Sequence, residues 1–259
     1  MPVGPVSLGF LASLIAGGMT ALGAVPVLFG RSVSQRGNDA LLGFAAGVML
    51  SASFLSLIDP GFAAALDIFG TAMLAAGVAG MGVLLGVLFV AALNAWIPHE
   101  HFSQGRQGPA AVELARIWLF VLAITIHNLP EGLAVGVGYG GGDRAHGTAL
   151  AVGIGLQNVP EGLAVALALF ACGYRRRYAF LVSALTGLVE PVAGLAGAYA
   201  VSLSELLQPW ALTFAAGAML YVISHEIIPE THRHGYENQA TVGLTVGLVV
   251  MMFLDLAFT

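Results

Sequence analysis

Two stretches of this chain repeat one pattern of side chains able to hold a cation. The first reads His127-Asn128-Leu129-Pro130-Glu131-Gly132 and the second Gln157-Asn158-Val159-Pro160-Glu161-Gly162; Glu190-Pro191 adds a third carboxylate further on. Residues at i, i+3 and i+4 share one face of a helix. His127, Asn128 and Glu131 therefore converge on one stripe, and Gln157, Asn158 and Glu161 on another. The proline of each motif donates no N–H, which frees the carbonyls of Ile126 and Leu156. The donors amount to one imidazole, three amides and three carboxylates. Magnesium would favour oxygen ligands and retained water, whereas an imidazole among carboxylates suits zinc, iron(II), manganese or their relatives. If Glu131 and Glu161 face each other, each can bridge two ions, with Glu190 on one flank.

The elements that carry these residues are set by composition. Of 259 residues, 58% are hydrophobic and only 9% charged, against about a quarter charged in an average globular domain. So few charges cannot wet the surface of a globule this size, and most of the exterior must face lipid. Turn formers and charges divide the chain into eight apolar segments, near 6–29, 40–58, 71–95, 114–138, 147–172, 178–202, 209–226 and 240–258. Each is long enough to cross a bilayer as a helix. Continuous apolar runs of this length exclude spanning strands, and lipid leaves the backbone no outside partner. The expectation is an all-α integral membrane protein forming one transmembrane domain. The first segment has no short apolar stretch ending in a cleavage site and reads as a retained span. Gly43-x-x-x-Gly47, Gly82-x-x-x-Gly86 and Gly243-x-x-x-Gly247 suit close helix packing, although thirty-five glycines also produce such spacings by chance.

Orientation follows from arginine, the only strong base present, since lysine is absent. Connections after the first, third, fifth and seventh spans hold Arg31, Arg36, Arg106, Arg116, Arg175, Arg176, Arg177 and Arg233; the other side holds Arg144. The bias places those connections in the cytoplasm and both termini outside the cell membrane. The stretch 96–113, with His99 and His101, reads as a mobile cytoplasmic loop, and His232 and His234 as solvated side chains after the seventh span. A net charge of −5 excludes a basic nucleic-acid surface. The single Cys172 forms no intrachain disulfide.

Glu131, Glu161 and Glu190 all fall inside apolar spans. A centrally placed ionised group costs about 2.5–3.5 kcal/mol, so three cost on the order of 8–10 kcal/mol if uncompensated. Away from their ends these spans hold no arginine, and the protein has no lysine. Compensation comes from protons, from His127, or from a cation that enters from outside. A bundle histidine, interhelical amides and a proton shared by Glu131 and Glu161 would explain each residue singly. The repetition of the whole motif favours the cation, because ionisable groups within spans are functional by default.

The paired motifs, with Glu190-Pro191 and Ser224-His225-Glu226-x-x-Pro229-Glu230, resemble the ZIP (Zrt/Irt-like) divalent-metal transporters, the bacterial branch most closely. The likeness extends over essentially the whole chain. It implies eight spans, with 1–3 and 6–8 an inverted repeat around 4 and 5, and a homodimer. It implies no enzymatic activity and no resident cofactor, but a transported divalent ion, zinc first, with cadmium, iron or manganese beside it. It further implies a binuclear site: one ion on His127, Glu131, Gln157 and Glu161, a second on Asn128, Glu131, Asn158, Glu161 and Glu190. Some bacterial members have aspartate at the position of Asn158, which leaves the second site here one carboxylate poorer. His225, Glu226, His99 and His101 are the residues that the resemblance associates with cytoplasmic release, and Met49, Ser56 and Asp255 fall on spans lining the outer route. Span 1 with 4, 5 and 6 would slide against 2, 3, 7 and 8, carrying the ion at midplane.

Three other functions compete on the residues, and one of them, a metal-bound structural membrane protein, would bind the ion tightly without flux. An intramembrane metalloprotease needs H-E-x-x-H, but the position four after His225 is Pro229, so that reading fails on spacing. A proton channel or proton-coupled carrier would use the carboxylates and His127 without metal, yet leaves the neighbouring amides unexplained.

Overall fold

A computed structural model describes residues 4–30, 33–96, 99–101, 105–107 and 116–258. Eight helical spans are long and apolar enough to cross a membrane. They are α1 (Pro5–Leu28), α2 (Gln35–Phe69), α3 (Ala72–Trp96), α4 (Arg116–Gly140), α5 (Arg144–Ala171), α6 (Arg176–Leu203), α7 (Leu207–Thr231) and α8 (Glu237–Phe258). Local chemistry marks several of their starts. Pro5 opens α1, Ser34 accepts from the Gly37 N–H to cap α2, and Asp143 accepts from the His146 N–H to cap α5.

Two boundaries differ from the sequence reading. α2 does not stop at Ile58; it passes through a π-helical stretch, Ala52–Ile58, and continues to Phe69. Pro60 falls in the first turn after that stretch, where its missing N–H costs least. The segment after α3 is not wholly irregular: β1 (His99–His101) and β2 (Gly105–Gln107) pair antiparallel, with Glu100 opposite Arg106. The side chains of His99 and His101, and all of Arg31, lie outside the described residues.

The helices pack in two sets. In the first, α1, α4, α5 and α6 contact one another; in the second, α2 pairs with α8, α3 pairs with α7, and the π-helical part of α2 meets α7. An inverted repeat is written into the contacts, because each in the first half has a counterpart in the second. Asn128 on α4 donates to the Thr186 carbonyl of α6, and Asn158 on α5 donates to the Ala16 carbonyl of α1. Gly86 of α3 abuts the Phe214 backbone of α7, as Gly247 of α8 abuts the Phe44 backbone of α2. The two π-helical stretches, Ala52–Ile58 in α2 and Ile223–Ile227 in α7, correspond in the same way. Even the sequence repeats there: Phe44-Ala45-Ala46-Gly47-Val48-Met49-Leu50 against Phe214-Ala215-Ala216-Gly217-Ala218-Met219-Leu220.

The glycines after the two motif glutamates set how closely the first set packs. A Cβ at Gly132 would sit 2.3 Å from the Glu190 carbonyl oxygen, and one at Gly162 would sit 2.0 Å from that of Thr20. Backbone cannot yield as a flexible side chain can. The GxxxG pairs act likewise between α2 and α8 and between α3 and α7. Gly162→Ala is therefore expected to cost about 1–3 kcal/mol by overpacking. Gly77→Ala, where a Cβ meets nothing within 4 Å, should be neutral or stabilising by up to about 1 kcal/mol. Thermal unfolding of the two variants in detergent checks the contrast.

Candidate metal centre

α4 and α5 run unbroken through Pro130 and Pro160, presenting their motif side chains to each other. His127 Nε2 lies 3.3 Å from Glu131 Oε1 and 3.4 Å from Glu161 Oε1. One ligand atom from each of these three residues fits within 4.8 Å of the others, the spacing of donors around one ion. All three are buried, at 1%, 0% and 2% exposure. Gln157 joins them, its Nε2 donating to Glu131 Oε1. Four of the residues assigned to the first ion are thus brought together.

The amides decide which atoms are left for a ligand. Asn128 Nδ2 donates to the Thr186 carbonyl at 3.0 Å; Asn158 Nδ2 donates to the Ala16 carbonyl and to Glu190 Oε1, both at 2.8 Å. A carbonyl only accepts, so the nitrogens must be the atoms engaged. Asn128 Oδ1, Gln157 Oε1 and Asn158 Oδ1 are left buried without a partner, with Glu131 Oε2, Glu190 Oε2 and both Glu161 oxygens. Buried acceptors are ordinarily satisfied. This many in one place, against the single imidazole of His127, makes the cluster rich in acceptors and poor in donors. No arginine pairs with Glu131, Glu161 or Glu190 among the described residues.

Glu190 owes its position to a break that the sequence reading did not foresee. α6 loses its helical pattern at Gly187 and Leu188 and restarts at Val189, so Glu190 occupies the first turn of a half-helix at mid-span. The positive end of the half-helix dipole favours a carboxylate there. Glu190 reaches the cluster through Asn158 and stands apart from the His127, Glu131, Glu161 trio.

Of the α7 pair, Glu226 reaches the centre directly, its Oε2 lying 3.6 Å from His127 Nδ1. His225 turns elsewhere, its ring 4.8 Å from that of Tyr221. The π-helical turn supplies the register, because an extra residue per turn moves Glu226 onto the face toward α4. A cavity of about 490 Å³ starts at His127, Glu161 and Glu226, and opens at the arginine-rich end beside Glu230, Arg233 and His234. Toward the opposite end Ser56 donates to Asp255 at 2.6 Å, both buried, while Met49 is packed into the apolar core.

The sequence reading missed a second polar group on this cavity. Gln35 and Asp39 at the start of α2 meet His234, with His234 Nδ1 3.2 Å from Asp39 Oδ1. His234, expected to be a solvated loop side chain, is instead tied to a fully buried carboxylate. The missed signal was Asp39 itself, an acid directly before the apolar segment 40–58 and one helical turn inside α2.

Known proteins resemble this chain over most of its length. A family profile described as "ZIP Zinc transporter" matches residues 97–255. The chain is 51% identical over 255 residues to the zinc transporter ZIPB of Bordetella bronchiseptica, covering 98% of this chain and 82% of that one. It is 45% identical over 249 residues to the zinc transporter GufA of Myxococcus xanthus, with 96% and 98% covered. Human zinc transporter ZIP11 is 36% identical, with 95% of each chain covered.

Because Glu131 touches both His127 and Gln157, its loss removes a charge and unsettles two further ligands. Glu131→Ala and Glu161→Ala should each weaken zinc binding more than about 100-fold, beyond the 10–100-fold typical of losing a supporting partner. His127→Ala should cost less. Competition with a chromophoric chelator on the purified variants measures the order.

Proposed function

The chain belongs to the ZIP zinc transporter family, and on that premise we propose that it carries zinc into the cytoplasm through the buried cluster between α4, α5 and α6. Membership makes it a multi-pass membrane transporter and not an enzyme. Zinc as the cargo rests on the names its relatives carry and on the ligand set, an imidazole among carboxylates. Cadmium, iron(II) and manganese fit the same donors.

The unsatisfied oxygens around Glu131 and Glu161 are the observation that carries this reading. A first ion sits on His127, Glu131, Gln157 and Glu161. A second uses Asn128, Asn158 and Glu190 with the shared glutamates, and binds more weakly for want of a carboxylate at Asn158. A proton carrier would leave unexplained three amide oxygens buried without a partner beside the carboxylates.

Direction rests on charge. The arginine-rich ends face the cytoplasm by the positive-inside rule, with both termini outside the cell membrane. The cavity opens at that same end, so the conformation is the inward-open one, in which the ion leaves past Glu226; a part in release for His225, His99 and His101 rests on the family resemblance. α1, α4, α5 and α6 move as the carrying unit against α2, α3, α7 and α8, in keeping with how the helices group. The protein works as a homodimer, for which α3 offers an exposed apolar face in Met73, Leu84 and Leu88.

Proteoliposomes loaded with a zinc-sensitive dye provide the test. Zinc should accumulate with the parent, and Glu131→Ala and Glu161→Ala should abolish the signal. Flux of protons without zinc, or no accumulation of zinc, cadmium, iron or manganese by the parent, overturns the proposal.

A further inference from the structure

A groove on the outer face of the bundle, between α4 and α6, takes no part in the proposed transport. Beyond the break in α6 these two helices lie close, with Gly132 and Gly136 against the backbone of Glu190 and Gly194. Before the break they share few contacts and leave a slot of about 420 Å³. Trp118, Val121 and Thr125 of α4 form one wall. Tyr178, Leu181, Val182, Leu185 and Thr186 form the other, at the i, i+3, i+4 spacing of a single helical stripe. Val121, Val182 and Thr186 are buried, while Leu181 and Leu185 stay exposed. The slot therefore opens sideways, where a spanning helix meets lipid.

Its two ends differ in chemistry. At mid-span it stops at Thr186, whose carbonyl accepts from Asn128 Nδ2. At the arginine-rich end, Trp118 Nε1 donates to the Tyr174 hydroxyl at 3.0 Å, and Tyr174 stacks on Tyr178. Such rings sit at headgroup level. One turn before Tyr178 comes Arg175, with Arg176 and Arg177 beside it, all three exposed. Arg176 is engaged over the Phe170 ring and against Gly30. Arg175 and Arg177 form no ion pair among the described residues, and residues 162–189 contain no acid. From Tyr178 to Thr186 the stripe rises about 12 Å, most of the roughly 15 Å hydrocarbon depth of one leaflet.

We infer that this slot seats an anionic phospholipid of the cytoplasmic leaflet, with an acyl chain between α4 and α6 and the phosphate on Arg175 and Arg177. Charge at the surface, aromatic rings at the interface and aliphatic walls below follow the order in which a lipid presents its own parts. The end of the acyl chain bears on Thr186, so the lipid braces the turn of α6 that anchors Asn128. The leaflet follows from the orientation proposed above. The site itself needs no metal, and it lies on other helices than the α3 face offered to a second copy.

The test uses the full chain in vesicles of equal phosphatidylglycerol and phosphatidylcholine, released into detergent and weighed with its retained lipid by native mass spectrometry. The parent should retain phosphatidylglycerol over phosphatidylcholine by about 5–30-fold, the range that one or two arginines give with anionic lipid. Arg175→Gln/Arg177→Gln should abolish that preference. Leu185→Trp, which adds bulk beside Thr186, should reduce retention of either lipid. Should these variants fail to fold, a photoreactive benzoylphenylalanine at position 181 reads the occupant directly, and it should capture phosphatidylglycerol ahead of phosphatidylcholine. Equal retention of the two lipids by the parent, or a preference that the arginine pair leaves unchanged, overturns the site. Retention that Leu185→Trp leaves unchanged reduces it to surface attraction and overturns it as well, as does capture of residues 108–115 or of a second copy. A parent that moves no zinc would overturn the transport reading and leave this site standing.

Discussion

Carboxylates held at membrane depth without a fixed counter-charge are the constraint on which this structure turns. Glu131, Glu161 and Glu190 are buried, no arginine reaches them among the described residues, and Gln157 and Asn158 each donate to a carboxylate while their own oxygens stay buried without a partner. A fixed basic partner would have satisfied the charges and made the cluster a permanent strut. On the proposed function a mobile ion takes that place, and the cluster is a station instead of a strut. Everything else in the chain positions these few atoms.

The positioning is done twice, by two halves of opposite orientation. Asn128 is anchored to α6 and Asn158 to α1 by the same kind of bond. Gly132 lets α6 approach and Gly162 lets α1 approach. The symmetry is broken where function needs it. His127 stands opposite Gln157, and Glu190 corresponds to Thr20, so imidazole and third carboxylate lie on one side of the axis only. Between α2 and α7 the π-helical turns correspond, yet Ser56 occupies the place in one that Glu226 occupies in the other. Ser56 bonds to Asp255 on α8 and Glu226 faces His127. An architecture with equivalent halves can exchange which end is open, while the unequal side chains give the two ends different chemistry.

The π-helical turns and the break in α6 share a physical role. Regular helix would distribute polar side chains along a fixed stripe. An inserted residue in α7 turns Glu226 inward, and the interruption before Val189 brings a half-helix N-terminus, with Glu190 in its first turn, to the middle of the protein. The π-helical turn of α7 borders the cavity at Glu226 and Ile227.

The sequence alone determined the class of the protein and the chemistry of its centre. Apolar runs between arginine-bearing connections required spanning helices, since no other structure satisfies the backbone in lipid. Helical spacing within each motif put imidazole, amides and carboxylates on facing stripes, because that spacing is local and survives any packing. What the chain could not disclose is non-local. The extension of α2 past Ile58, the kinship of the two π-helical turns, the inward turn of Glu226 rather than His225, and the meeting of Asp39 with His234 depend on which helix lies against which. Those contacts are set by glycine-to-backbone fit and by hydrogen bonds between residues far apart in sequence, such as Asn158 with Ala16. Only the folded bundle brings such partners together, and so only the tertiary structure decided which side chains line the cavity that starts at His127 and Glu161.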